Sequence, residues 1–291
     1  MYHTWMRYFT PSPAHHRLGL VCLGVGLQHG TLPPVGPRVL DHHVAVVIGA
    51  GRGWYTTPDG VRRQVTAPAL LWLVPGVTHH YGADPHIGWD ESFVDFTGPA
   101  TATYTELGYI EPENPLVPLA DTAAARAAIG RITRAARRGN PFLEVETAAA
   151  VHELLVALRR ARADTDADGY PVLQALARDA FLPLSVAEHA ARHGMTPAAL
   201  RTAVRRGAGC SPKDYLLAIR LGRAKELLAA TELPVAAVAR RVGYTDPAYF
   251  SRLFTRRVGT APVRFRARQG HSVPGGWSTR VPDPDDPPRI G

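Results

Sequence analysis

Residues 184–212, LSVAEHAARHGMTPAALRTAVRRGAGCSP, and residues 233–262, LPVAAVARRVGYTDPAYFSRLFTRRVGTAP, are two copies of one pattern once a single-residue insertion is allowed. At an offset of 49, Leu184, Val186, Ala187, Ala190, Arg192, Gly194 and Thr196 recur as Leu233, Val235, Ala236, Ala239, Arg241, Gly243 and Thr245. At an offset of 50, Ala198, Arg206, Gly209 and Pro212 recur as Ala248, Arg256, Gly259 and Pro262. Each copy reads as a short helix, a glycine turn and a longer helix that starts at Thr196-Pro197 or Asp246-Pro247. There a polar side chain caps the first free N–H groups and proline fits the first turn. Two short helices joined by a glycine-containing turn make a helix-turn-helix. In the second copy Phe250 and Phe254 form an i, i+4 apolar pair that turns Ser251, Arg252 and Arg256 outward; in the first, Leu200 and Val204 do the same for Arg201, Thr202 and Arg205.

The charge falls where the repeat does. The 291-residue chain has a formal net charge of +8, and residues 171–270 hold 17 of its 33 Lys and Arg but only 6 of its 25 Asp and Glu. The remaining two thirds are therefore slightly acidic, and the positive excess of the repeat region predicts a polyanionic partner for that region alone. A solvated helical repeat would leave this concentration unexplained.

Within the basic region RAKELL (223–228), VARRVGY (238–244), DPAYFSRLF (246–254) and the GxxP ending at 259–262 closely follow a known pattern. With them, residues 184–266 resemble the DNA-binding domain of the AraC/XylS-type transcriptional regulators. That resemblance implies two helix-turn-helix units joined by one helix, Pro212 to Ala230, each placing its second helix in the major groove of double-stranded DNA about one turn apart. It puts Ala198, Arg201, Thr202 and Arg205 of the first unit, and Ala248, Ser251, Arg252, Arg256 and Arg257 of the second, at the DNA. Arg252 is expected to read a base, and Arg256 and Arg257 to meet phosphates. Val204 stands where the family usually has an aromatic, and Ala198 and Ala203 are small, which sets the first recognition helix apart.

Ahead of the repeat the texture changes. Up to about residue 97, short apolar runs alternate with Gly and Pro clusters, and Val44–Ile48, Val61–Val65, Leu70–Val74 and Phe93–Phe96 read as strands, with Asp59-Gly60 as a hairpin turn. A small barrel or sandwich is expected. From Asp121 a helical stripe runs through Ala125, Ala128, Ile129, Ile132 and Ala136 to Gly139-Asn140, and a second, after Pro141, through Val145, Ala148, Val151, Leu155 and Leu158. The two should pair as a hairpin and mediate dimerisation, so that a Glu at Leu155 or Leu158 weakens a homodimer.

VPGVTHHYGADPHIGWDESFVDFTGP (74–99) resembles the closing strands of the cupin-like effector-binding domain that many of these regulators carry. In the arabinose-responsive member, Tyr81 would match a sugar-contacting tyrosine, the pocket histidine and tryptophan positions fall on Glu91 and Phe93, and the arginine position falls near Ala50. Tyr81, Trp89, Glu91 and Phe93 are thus the expected pocket for a small polar effector, a sugar or similar metabolite. The fold class expected is α+β: a cupin-like β-barrel with a helical hairpin in residues 1–163, a linker at 164–170, an all-α domain of two helix-turn-helix units at 171–270, and a tail at 271–291.

Two other classes remain in view. Cupins that hold a metal on histidines suggest a metal-dependent enzyme using His79, His80, His86 and Glu91, but GRGWYTTPDG (51–60), where paired ligands belong, offers none. An effector-independent DNA-binding protein would have no use for a barrel of about 100 residues. Asp164, Asp166, Asp168 and Gly169 imitate the start of a calcium loop, yet its twelfth position is Ala175 in place of the bidentate Glu. Cys22 and Cys210, far apart and without a CxxC partner, indicate neither a disulfide framework nor zinc. No cofactor is expected. The N-terminal stretch lacks a secretory pattern and no apolar run approaches the ~20 residues of a membrane span, so a cytoplasmic location is expected, with RNA polymerase a further candidate partner.

Overall fold

The computed structural model describes residues 3–57, 59–139, 141–163 and 170–269. Of the expected linker at 164–170, residues 164–169, which carry the start of the calcium-loop imitation, lie outside the described residues and Tyr170 begins a helix; the expected tail at 271–291 also lies outside them. The chain divides into two compact units, 1–170 and 171–291.

Among the described residues the first unit holds nine strands: β1 (His3–Tyr8), β2 (Val21–Gly30), β3 (Val35–Arg38), β4 (His43–Thr56), β5 (Arg62–Thr66), β6 (Ala69–Leu73), β7 (His79–Ala83), β8 (Trp89–Thr97) and β9 (Leu116–Pro118). The long β4 belongs to two layers. Its first half pairs with β8 and β6 in the order β1-β2-β8-β4-β6-β9, and its second half pairs with β7 and β5, with β3 beyond β7. Among the described residues this ladder ends on free edges at β1, β9, β3 and β5, so the expected closed barrel is corrected to an open, two-layered sheet that bends along β4.

The burial of β4 explains its unbroken apolar run. Val44, Val46 and Ile48 pack inward with Leu71, Tyr81 and Phe93, while Ala45 and Val47 face the opposite core with Leu70 and Trp72. A strand covered on both faces loses polar alternation. The outer core is closed by helices α2 (Ala123–Arg138) and α3 (Leu143–Arg160), which follow the short α1 (Ala100–Glu106). Gly139 ends α2 with φ 59°, a left-handed cap that glycine reaches without strain. Ala125, Ala128, Ile129, Ile132, Ala148, Val151, Leu155 and Leu158 are all buried in the unit's own core. Leu155 and Leu158 hold the hairpin against the sheet, and the expectation that they form a dimer face is corrected. Val145, by contrast, is 50% exposed.

The second unit is helical: α4 (Tyr170–Asp179), α5 (Val186–Arg192), α6 (Pro197–Ala208), α7 (Pro212–Ala230), α8 (Val235–Arg241), α9 (Pro247–Val258) and α10 (Pro262–Gln269). Its apolar residues form two clusters. Leu173, Leu176, Ala190, Leu200, Val204 and Leu216 make one; Leu217, Ala224, Leu228, Val238, Phe250 and Phe254 make the other. Helix α7 gives Leu216 to the first and Leu217 to the second, so it serves both cores.

Candidate nucleic-acid interface and effector pocket

The two repeat copies fold alike for local reasons. Thr196 Oγ1 accepts from Ala199 N at 3.1 Å, and Asp246 Oδ1 accepts from Ala248 N at 2.8 Å and Tyr249 N at 3.1 Å, each with proline at the next position. The turns repeat bond for bond: Met195 N donates to Ala190 O as Tyr244 N does to Ala239 O. Gly194 and Gly243 take φ of 66° and 85°, and a Cβ on Gly243 would meet the Phe181 carbonyl oxygen at 2.7 Å, so no other residue fits there. Ser185 and Glu188 close a capping box at the start of α5.

With Leu200 and Val204 buried in α6, and Phe250 and Phe254 in α9, the opposite faces are left to solvent. Ala198, Arg201, Thr202 and Arg205 are exposed on α6; Ala248, Arg252, Arg256 and Arg257 are exposed on α9. Ser251 is half-buried, and its hydroxyl donates to Pro247 O at 2.8 Å. Arg252 makes no hydrogen bond or ion pair among the described residues, whereas Arg257 pairs with Asp214 at 3.1 Å. Arg220 of α7 ties the α4–α5 connection to the second helix-turn-helix unit: its guanidinium donates to Ala180 O at 2.6 Å and Leu182 O at 2.7 Å and lies 5.2 Å from the Tyr244 ring. The repeat pattern did not reveal this residue, which lies between the copies.

In the first unit a cavity of about 260 Å³ opens on the inner side of the sheet. Tyr81 and Phe93 line it; Trp89 and Glu91 stand behind them, buried to 3% and 2% exposure. Glu91 accepts from Trp89 Nε1 at 3.1 Å and from Tyr81 Oη at 3.4 Å. Burial pushes the Glu91 carboxyl up to about 7 against those two hydrogen bonds, and burial raises the Tyr81 hydroxyl further still, with the Glu91 charge beside it. The polar groups at the cavity itself are Tyr8, Gln28, Arg38, His42 and Asp95. Burial raises the Asp95 carboxyl, opposed by His42, whose Nε2 lies 3.5 Å away, and by Arg38. Ala50, by contrast, is exposed at a bulge of β4 and does not line the cavity, where Arg38 supplies the guanidinium.

One signal for the missed residues was in the sequence: Glu91, Phe93 and Asp95 alternate along β8 on one face, so the reading that took the first two extends to the third. The glycines of β2 belong to the same site. A Cβ on Gly26 would lie 2.2 Å from Phe93 Cε1, and one on Gly24 2.4 Å from an Asp95 oxygen. Arg38 carried no such signal.

The four residues of the metal reading do not converge. His79 Nε2 accepts from Arg38 Nε at 3.0 Å, His80 packs edge-on against Trp54 at 4.7 Å, and His86 is exposed. Among the described residues no group of three or more His, Cys, Asp and Glu could hold a metal ion. Cys22 is buried and Cys210 partly exposed, both free. No described helix is long and apolar enough to cross a membrane.

Two domain patterns cover most of the chain: the AraC-like ligand binding domain matches residues 27–155 and a helix-turn-helix domain matches residues 189–268. The chain belongs to the AraC/XylS-type transcriptional regulators. It is 27% identical over 219 residues to the arabinose operon regulatory protein of Salmonella typhimurium, a match covering 68% of this chain and 74% of that one. To the MmsAB operon regulatory protein of Pseudomonas aeruginosa it is 27% identical over 241 residues, covering 78% and 76%. Among solved structures, the C-terminal domain of AraT, a response regulator from Geobacillus stearothermophilus, is 30% identical, with coverage of 36% of this chain and 87% of that one and a TM-score of 0.34. As an AraC/XylS-type regulator the chain combines a ligand-binding domain with a DNA-binding one, so it is an effector-controlled DNA-binding protein.

Proposed function

We propose that the 260 Å³ cavity takes a small polyhydroxylated metabolite, a sugar or a molecule of like polarity, and that its occupancy sets the affinity of α6 and α9 for an operator. The observation that carries this reading is the lining. Arg38, Asp95, Gln28, His42 and Tyr8 offer donors and acceptors around the Tyr81 and Phe93 rings, which suits a compact ligand with many hydroxyls and one apolar face. Residues 1–163 carry the effector and residues 171–270 the DNA. Arg252 and, in the first unit, Arg201 with Thr202 read bases, while Arg205, Arg256 and Arg257 position the backbone; Ala198, Ala248 and Ser251 allow close approach to the groove. The protein acts as a homodimer through the solvent face of the α2–α3 hairpin near Val145, meets RNA polymerase at the promoter, works in the cytoplasm, and catalyses no reaction.

A thermal-shift screen of sugars and other small polar metabolites on the whole chain tests the reading. A ligand at a hundred times its dissociation constant adds about 2.7 kcal/mol to the domain it binds. The hit should shift operator binding, and Asp95→Asn should abolish both effects. A hit insensitive to Asp95→Asn and to Tyr81→Phe overturns the assignment of this cavity.

A further inference from the structure

The first unit contains a second cavity, about 370 Å³, whose wall holds two buried N–H donors without a well-formed hydrogen bond. Trp72, on β6, is 1% exposed, and its indole Nε1 has no hydrogen-bond partner among the described residues. An indole N–H buried in a core ordinarily finds one. His79, on β7, is 2% exposed. Its Nε2 accepts from Arg38, and burial with the nearby Arg38 charge depresses the ring to about 4, so at neutral pH it is uncharged and carries its proton on Nδ1. That Nδ1 also lacks a well-formed hydrogen bond: the Val77 carbonyl beside it favours the protonated ring but does not meet hydrogen-bond geometry.

The rest of the lining is asymmetric. Val74 and Val77 supply an apolar wall beside Tyr55. The exposed charged side chains are Asp59, Arg63 and Glu113, two carboxylates against one guanidinium. Asp59 already accepts from the Thr57 hydroxyl, whereas Glu113 makes no ion pair among the described residues. The cavity therefore offers donors within, an apolar side, and an excess of negative charge at its exposed end. A complementary molecule carries acceptor oxygens at one end, a cation at the other, and an apolar body between.

We propose that this cavity is a second small-molecule site, separate from the effector pocket, and that it takes a zwitterionic amino acid: the carboxylate accepts from Trp72 Nε1 and His79 Nδ1, the ammonium faces Glu113, and an apolar side chain lies against Val74 and Val77. The site goes beyond the effector reading, and Arg38 links the two, lining the first cavity and donating to a wall residue of the second.

Titration of the whole protein with L-leucine as probe, followed by the indole N–H resonances, tests the proposal. L-leucine should shift one indole signal saturably, and that signal should be the one lost in Trp72→Phe. N-acetyl-L-leucine, which lacks the cation, and isoamylamine, which lacks the carboxylate, should bind about tenfold more weakly or worse, the weight of one charge-assisted hydrogen bond. Glu113→Gln, at an exposed position that puts no folding at risk, should weaken leucine by a similar factor and leave N-acetyl-L-leucine unchanged. Absence of a saturable shift, meaning a cavity filled by water only, overturns the proposal, as does equal binding of the acetylated probe. Asp95→Asn separates the two sites: the leucine curve should be unaltered. If Asp95→Asn removes it, leucine occupies the first cavity and the second site falls while the effector reading stands.

Discussion

Arg257 Nη2 on α9 donates to Asp214 Oδ1 in the first turn of α7 at 3.1 Å, so the second recognition helix is tethered to the helix that joins the two DNA-binding units. The Ser211 hydroxyl, at 2.7 Å, and this guanidinium hold the Asp214 carboxyl below its ordinary range. Both partners are about half exposed, so the pair contributes little to stability. Its consequence is for binding, because it occupies an arginine that could otherwise neutralise a phosphate.

Asp214→Ala is therefore expected to free Arg257 and raise affinity for all DNA sequences, steepening the dependence of log affinity on log salt by about one. Arg257→Ala should weaken all sequences alike and make the slope shallower by about one. Titrations at several salt concentrations check both. Slopes unchanged in both variants would show that Arg257 faces no phosphate.

Arg252 differs from Arg257 in having no hydrogen-bond or ion-pair partner among the described residues. An arginine paired to guanine through two hydrogen bonds contributes about 1–3 kcal/mol of discrimination, and a phosphate contact none. Arg252→Ala should relax preference at one base position while leaving the others intact. Binding profiles on a library of single-base operator variants decide it: a profile that keeps its shape and shifts only in overall affinity assigns Arg252 to the backbone.

What the sequence disclosed follows from how local each signal is. The helix-turn-helix units were legible because caps, glycine turns and i, i+4 apolar pairs are set within a dozen residues, and α7 begins and ends where the repeat predicts. Strands β4, β5, β6 and β8 were legible from apolar runs. Strand β2 was not, since Gly24 and Gly26 look like breakers; they are small because Asp95 and Phe93 from β8 need the space. Closure of the sheet depends on which edges meet, and no local pattern records that. In the pocket, Tyr81 and Phe93 were found by resemblance, while Arg38, Gln28 and Tyr8 come from strands distant in sequence and converge only in the fold.

The helical hairpin shows the same limit, because a stripe announces a buried face without naming what covers it. Leu155 is 0% exposed and packs into the unit's own core, so Leu155→Glu should cost several kcal/mol and abolish cooperative folding of the first unit. Val145→Glu, at a half-exposed position, should leave the fold intact and weaken the proposed homodimer. Near-UV circular dichroism with sedimentation of both variants checks this pair. A folded, monomeric Leu155→Glu protein would return Leu155 to the interface.

The last prediction concerns pH and rests on two buried groups of opposite sense. Glu91 titrates near 4.5 when unfolded and at about 7 in the folded unit, because burial disfavours its charge. Between those values the folded protein keeps a proton that the unfolded chain has lost, so this contribution is full below the unfolded value and is lost as pH rises through the folded one. It amounts to about 3 kcal/mol. His79 works in reverse: unfolded near 6.5 and folded at about 4, it costs stability as pH falls between those values. Over their shared range the two slopes oppose each other and flatten the wild-type profile. Glu91→Gln removes one of them. Relative to wild type the variant should therefore gain stability steadily from about pH 4.5 to 7, by about 3 kcal/mol in total, and should show the uncovered dependence of His79 below 6.5. Urea unfolding at intervals across this range measures the difference. Parallel curves for the two proteins would mean that the Glu91 carboxyl ionises in the folded unit as it does in the unfolded chain, and that its bonds to Trp89 and Tyr81 offset its burial.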